Sequence, residues 1–368
     1  MESDAENFWY LELGGDRDTI GDTEQLRDEL VALAAGTWNY IKNSGNYDAK
    51  NWDLDFLGFL PGKRESRRMC GEYTVTQRDI SGGKVFEDEI AYGGWPLDDH
   101  FPGGFYHKGR PNTAIVTPAP YSLPYRALYS KNVENLYFAG RNISMTHTAM
   151  SSIRVMATCC LLGEAVGKAA SIAVRKGYTP HDVYLNDVEE LQTLLMREDC
   201  FLPSRTRGIS KLCKNAGLNT DAELLRNGQD RIHDIYGTNA QNGIYFAKAG
   251  EEIAYSFATA KVTEAHIVFD SDLNRDTLTG EEYDRIHAMR CNRFLNSPQM
   301  HMPTTLCREF ILVGEKDGER IELARVKDNR KRSHRISVGK VLDKLILLPI
   351  EKWGSEQGDI PVISFDFE

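Results

Sequence analysis

The chain has 368 residues, which suits two or three domains at about 150 residues each and excludes a single small module. Hydrophobic residues make up 41% and charged residues 27%, the balance of a globular chain and not of a disordered or collagen-like one. Basic residues number 44 against 54 acidic ones, so the net charge is −10, and because neither half is net basic no nucleic-acid partner is expected.

The apolar segment from Ala157 to Val174 is broken by Gly163, Glu164, Gly167 and Lys168, and falls short of the roughly 20 apolar residues that span a bilayer. No membrane partner is expected. The seven cysteines are scattered and form no C-x-x-C pair, so they read as reduced thiols. The opening MESDAENFWYLELGG lacks the basic and apolar regions of a signal peptide; since the start need not be native, cytoplasmic and periplasmic locations both stay open.

In chain order, Asp22 with Gln25 reads as an N-cap with its reciprocal partner. Leu26, Leu30, Leu33, Ala34, Trp38 and Ile41 then recur at helical spacing up to Asn43. From Asn46 to Pro124 the chain is rich in Gly, Pro and aromatics, with strand-like pieces at Glu72–Thr76 and Ala114–Thr117. Leu136–Gly140 predicts a short buried strand ending in a turn. A helix is predicted from about Ser151 to Lys176, closed by Gly177 and Pro180, and another over Asp182–Arg197. Phe201–Gly208 reads as a linker.

Beyond Asn227 eight strand-like segments follow: 243–248, 252–258, 265–270, 307–313, 321–326, 334–338, 342–348 and 362–367. With a Lys316-Asp317-Gly318 hairpin turn they predict an antiparallel sandwich. Within it Asp270, Asp272, Asn274, Asp276 and Glu281 partly copy a calcium loop, but Arg275 stands where the sharp turn needs Gly, and no metal is expected. Arg330-Lys331-Arg332 reads as a charged hairpin tip.

The stretch Glu134–Ala170, ENLYFAGRNISMTHTAMSSIRVMATCCLLGEAVGKAA, is the most informative. A strand ending in Gly lets a ligand approach the backbone, a helix start offers free N–H groups to an anion, and small residues along the helix admit a flat ring or a second backbone. A tightly packed internal helix behind a turn gives the same pattern. Upstream, Arg64-Glu65-Ser66-Arg67-Arg68 could bind an anionic substrate or form a solvated loop. Asp98-Asp99-His100 could orient a proton-transfer group or form a surface turn, and His147 could move a proton or be a satisfied loop histidine.

Together with GKRESRRMCGEYTVTQRDI (Gly62–Ile80) and GGWPLDDHFPGG (Gly93–Gly104), this stretch resembles the C-terminal flavin-binding segment of a bacterial family of FAD-dependent oxidoreductases. That family is related in fold to fumarate reductase flavoproteins and to the flavin subunit of heterodisulfide reductase. The resemblance covers nearly all of residues 5 to 205 and implies FAD as cofactor. It would place Gly140 and Arg141 by the ribityl and diphosphate, with Ser144, His147, Ala149, Met150, Ser151 and Ser152 about the isoalloxazine. Arg64, Arg67 and Arg68 would hold a small anionic or saccharide-derived substrate, with His100 or His147 moving the proton. The family's GxGxxG phosphate loop is absent from the sequence. The chain is therefore expected to be the C-terminal part of a longer flavoprotein, and a non-catalytic glycan-binding protein with a vestigial flavoprotein segment is the rival reading.

The segment from about Asn227 to Glu368 resembles a discoidin-type, galactose-binding-like sandwich. The fold class expected is therefore α+β or α/β, the C-terminal half of a two-domain flavoprotein with an incomplete Rossmann-like part over residues 1–208. An antiparallel jelly roll follows over residues 209–368. A saccharide partner and a homo-oligomer are both compatible with this reading.

Overall fold

A computed structural model describes residues 10–117, 120–231, 243–271, 302–354 and 358–368; most of the calcium-like loop, from Asp272 to Glu281, lies outside the described residues. The chain divides into two compact units. Unit 1 holds Met1–Leu195 and Leu202–Ser204, and unit 2 holds Met196–Phe201 and Arg205–Glu368. The residues expected to form a linker are thus shared out, and Arg205–Gly208 belong to unit 2.

Unit 1 begins with α1 (Thr23–Asn43), in which Leu26 and Ile41 are buried while Leu30, Val31 and Ala34 are half-buried. The cap expected at Asp22 does not form: its side chain makes no capping hydrogen bond, and its carboxylate lies 3.7 Å from Arg17 Nε. A reciprocal capping box occurs instead at Thr76, which with Asp79 opens α2 (Gln77–Ser81). Two small antiparallel ribbons follow, β1 (Glu89–Gly93) with β4 (Tyr121–Pro124), and β2 (Leu97–His100) with β3 (Asn112–Ile115). The Gly- and aromatic-rich loops gather on these ribbons through buried polar anchors. Arg126 Nε and Nη2 each donate to the fully buried Asp88 carboxylate at 2.9 Å.

Leu136–Gly140 is not a strand. Tyr137 makes a single antiparallel bridge to Tyr129, and Leu136 is exposed. The long helix predicted from Ser151 is two helices, α3 (His147–Ile153) and α4 (Met156–Lys176), with Val155 in extended conformation between them. By length and composition α4 could cross a membrane. Its Thr158, Leu162, Ala165, Ala169, Ile172 and Ala173 are buried, and it packs on β1. Helix α5 (Pro180–Arg197) is kinked at Asp187, and the Gln192 amide donates to the carbonyls of Glu87 and Glu89.

Unit 2 contains α6 (Lys211–Asn215), β5 (Gly217–Leu218), β6 (Tyr245–Ala247), β7 (Ile253–Phe269), β8 (Cys307–Lys316), β9 (Glu319–Val326), β10 (Ser333–Lys352) and β11 (Ile360–Phe367). The strands form one antiparallel sheet in the order β6-β11-β7-β10-β8-β9, with β5 also paired to β7. The eight expected segments merge into six strands because no turn residue interrupts 258–265, and because the break at Ser337–Lys340 is a bulge that Gly339 accommodates at φ +60°. The hairpin at Lys316–Glu319 carries Asp317 at φ +53° and Gly318 at φ +81°, the two left-handed residues of a tight primed turn. In β7 two buried stretches flank an exposed middle, and both feed one core with Tyr255, Phe269, Phe310, Leu345, Phe365 and Phe367. The sheet therefore covers one large core, as in a sandwich, with Ile244, Val268 and Ile363 forming a second, small cluster.

Candidate functional site

The chemistry-bearing residues of unit 1 meet where α3 approaches β2. Side chains alternate along β2, so Asp98 and His100 share a face and Asp99 points to the other. His147 is the first residue of α3, capped by Thr146, whose hydroxyl accepts the Ala149 N–H at 3.4 Å. From this position its ring meets a carboxylate at each nitrogen: Nδ1 pairs with Glu65 Oε2, and Nε2 lies 3.0 Å from Asp99 Oδ1. Both nitrogens can donate at once only as the imidazolium, so loss of one proton leaves one of these two contacts without its hydrogen. The His147 side chain keeps 51% of its surface exposed and can meet a ligand.

His100 sits in a parallel arrangement, with Nδ1 donating to Glu12 Oε1 at 2.5 Å and Nε2 3.4 Å from Asp98 Oδ2. Arg154 Nη2 donates to the same Asp98 oxygen at 2.7 Å. Burial tends to raise the Asp98 carboxyl, but the Asn112 amide and the charges of His100, Arg154 and Arg64 outweigh it and hold it below the usual carboxylate range.

The three arginines do not converge. Arg64 is half-buried and donates to the Asp98 carbonyl. Burial, and then the charge of Arg154, disfavours its cation and lowers its pKa. Arg68 is engaged at 2.7 Å by both Glu65 Oε1 and the Met145 carbonyl, and Arg67 is exposed. Gly140 adopts φ +94°, a turn that side-chain-bearing residues resist; Arg141 beside it is exposed and donates to the Arg64 carbonyl at 3.2 Å.

Ser144, Ala149, Met150, Ser151 and Ser152 are buried. The Ser144 hydroxyl lies 3.1 Å from that of Thr74. Ser151 donates to the Thr148 carbonyl at 2.6 Å, and Ser152 pairs with Tyr121 Oη at 2.5 Å. Ser151 and Ser152 lie inside α3 and do not open a helix, so their N–H groups are not the free donors expected at a helix start.

A cavity of about 540 Å³ adjoins this cluster, with Glu12, Arg64, Glu65, His100 and His147 in its lining. Sequence reasoning missed Glu12 and Arg154 as partners of the site. Glu12 gives no local signal, because it reaches His100 across 88 residues of chain. Glu65 stood within the arginine run, and its pairing with His147 depends on the fold.

The residues present fit part of a flavin. The Gly140 turn leaves open space beside it, with only Asn142 Oδ1, at 3.6 Å, near the place of a Cβ, and the exposed Arg141 offers a cation there. Every sheet of unit 1 among the described residues is antiparallel, so no parallel βαβ phosphate cradle is present among them.

No curated protein matches the chain. Among solved structures it is similar to the family 32 carbohydrate-binding module from Streptococcus pneumoniae EndoD. That similarity has 11% identity and a TM-score of 0.29, and covers 43% of this chain and 99% of that one. It is also similar to the family 32 module from C. perfringens NanJ, solved in complex with galactose, at 8% identity and a TM-score of 0.26, over 42% of this chain and 91% of that one. The family model described as FAD dependent oxidoreductase matches residues 7–195, over half of the chain and across the whole cluster around His147, and the chain belongs to that family.

Proposed function

We propose that unit 1 takes part in an FAD-dependent oxidation or reduction of a small organic substrate bound in the cavity beside His147. The observation that carries this reading is the imidazole itself, half-exposed at the cavity and held at both nitrogens by Glu65 and Asp99. Gly140 and Arg141 would hold the cofactor, which when bound supplies a ring system that accepts or donates hydride. His147 would give a proton from Nε2 or Nδ1 to a substrate oxygen or carbon when the substrate is reduced, or accept one there when it is oxidised, while the carboxylate at the other nitrogen fixes the ring. Arg154 and Asp98 would keep β2 in register with α3.

The test is equilibrium dialysis of the full chain against FAD, followed by visible absorbance before and after anaerobic reduction. Retained flavin whose affinity falls in Arg141→Ala supports the reading; no retained flavin at saturating FAD refutes it for this chain.

A second reading is that of a saccharide-binding protein in which unit 2, an antiparallel sheet with the strand pattern of a galactose-binding-like sandwich, carries the function. A glycan array probed with the full chain, with and without FAD, separates the two.

A further inference from the structure

The lining of the cavity beside His147 is chemically mixed. Leu26, Leu30 and Val31 of α1 and Leu57, Phe59 and Phe101 supply apolar surface for a ligand body, and the Arg27 guanidinium lies over the Phe59 ring at 4.7 Å from its centroid. At about 540 Å³ the cavity falls in the range of about 300–1,000 Å³ typical of small-molecule sites.

The same lining carries charges, most of which are already answered. Arg17 pairs with Glu29 at 2.7 Å, Arg27 with Asp28 at 2.8 Å, Glu12 with His100, and Glu65 with Arg68 and His147. Two neighbouring cations of the lining are left. Lys63 donates to the Thr23 hydroxyl at 2.8 Å and Arg64 to the Asp98 carbonyl, and among the described residues neither has an ion-pair partner. A guanidinium has five donors in a planar fork that matches a carboxylate, and a half-desolvated one with most of them idle is poised for an anion. Glu12 and Glu65 also line the cavity and would repel a second negative charge, so a monoanion fits better than a dianion.

We propose that this cavity binds an amphipathic monocarboxylate, its carboxylate on Arg64 and its apolar chain or ring against α1 and the Leu57–Phe59 loop. The inference rests on the reading of the cavity as the substrate site, and it is tested without flavin so that the two can fail separately.

Titration calorimetry of the full chain with hexanoate, octanoate and decanoate should show affinity rising about three- to fourfold per added methylene. Arg64→Gln should weaken decanoate about ten- to a hundredfold and leave decanol binding unchanged, which also shows that the cavity of the variant is intact. Leu30→Asn should flatten the dependence on chain length. Equal decanoate binding by Arg64→Gln and the unaltered chain, or succinate bound as tightly as decanoate, would overturn the proposal. Decanoate binding with these dependences in a chain that retains no FAD supports the ligand class and removes only the redox reading. Flavin retention without decanoate binding removes the ligand class alone.

Discussion

Replacing Arg207 with methionine removes the cation at the centre of a buried charge cluster in unit 2. Arg207 is 7% exposed; its Nε donates to Asp230 Oδ2 at 2.8 Å and its Nη1 to Asp366 Oδ1 at 2.9 Å, while Ser364 donates to Asp230 from the neighbouring strand position. Without the guanidinium two largely buried carboxylates are left with the His266 ring, 3.5 Å from Asp366, beside them in place of their main cation, and breaking a buried pair in this way costs about 3–5 kcal/mol. For a unit of this size that corresponds to a fall of roughly 6–20 °C in melting temperature. The assay is thermal unfolding of the full chain followed by the β-type circular dichroism signal. Burial raises the Asp230 carboxyl, but hydrogen bonds from Arg207 and its charge more than reverse this and leave it below the usual value. The sign follows from that depression: the stabilisation is present above the unfolded carboxyl value, near pH 4, and is lost as pH falls through the lower folded value. The pH dependence in this acid range should therefore shrink in Arg207→Met. Adding Asp230→Asn and Asp366→Asn to Arg207→Met should recover much of the loss, since an apolar or neutral replacement of the whole cluster leaves no unpaired charge. A fall of less than 2 °C for Arg207→Met alone would refute the reasoning.

Two further outcomes follow from packing and burial. Gly93→Ala would drive a methyl group into the phenol of Tyr121, whose hydroxyl is tied to Ser152; we expect a loss of about 1–3 kcal/mol, read by urea denaturation, and no change would mean that Tyr121 moves aside freely. Burial pushes the thiols of Cys213 and Cys307 up to about 11 and about 12, whereas Cys70 and Cys160 are exposed. Iodoacetamide followed by mass spectrometry should mark Cys70 and Cys160 in the native protein and Cys213 and Cys307 only after denaturation. Rapid native labelling of Cys307 would contradict its placement.

What could be read in the sequence was local. The α1 periodicity, the Asp317–Gly318 turn and the strand-like segments 307–313 and 362–367 each depend on residues close in the chain, and each appears in the structure. The misreadings have a common physical origin in distant partners. Arg205–Gly208 looked like a polar linker because the carboxylate that binds Arg207 lies 159 residues away in Asp366. Three arginines in five residues looked equivalent, yet the fold assigns Arg68 to Glu65 and Met145, exposes Arg67, and leaves Arg64 in the cavity wall. The break between α3 and α4 lacks a Gly or Pro to announce it. It falls at Arg154, whose side chain reaches Asp98 on β2.

The placement of β11 has a consequence for how the protein is made. All eight of its residues are buried, it pairs with β6 and β7, and Tyr255 donates to the Phe365 carbonyl at 2.8 Å. Synthesis from the amino end delivers this strand after every other described strand of the sheet. Until Ile360–Phe367 emerge, β7 presents an open edge along Ala265–Phe269 and the Tyr255 ring lacks Phe365 and Phe367, a template for pairing with any extended chain nearby. A nascent chain that stalls or is cut before Ile360 should therefore reveal itself in insoluble aggregates and chaperone retention, well before any question of catalysis arises.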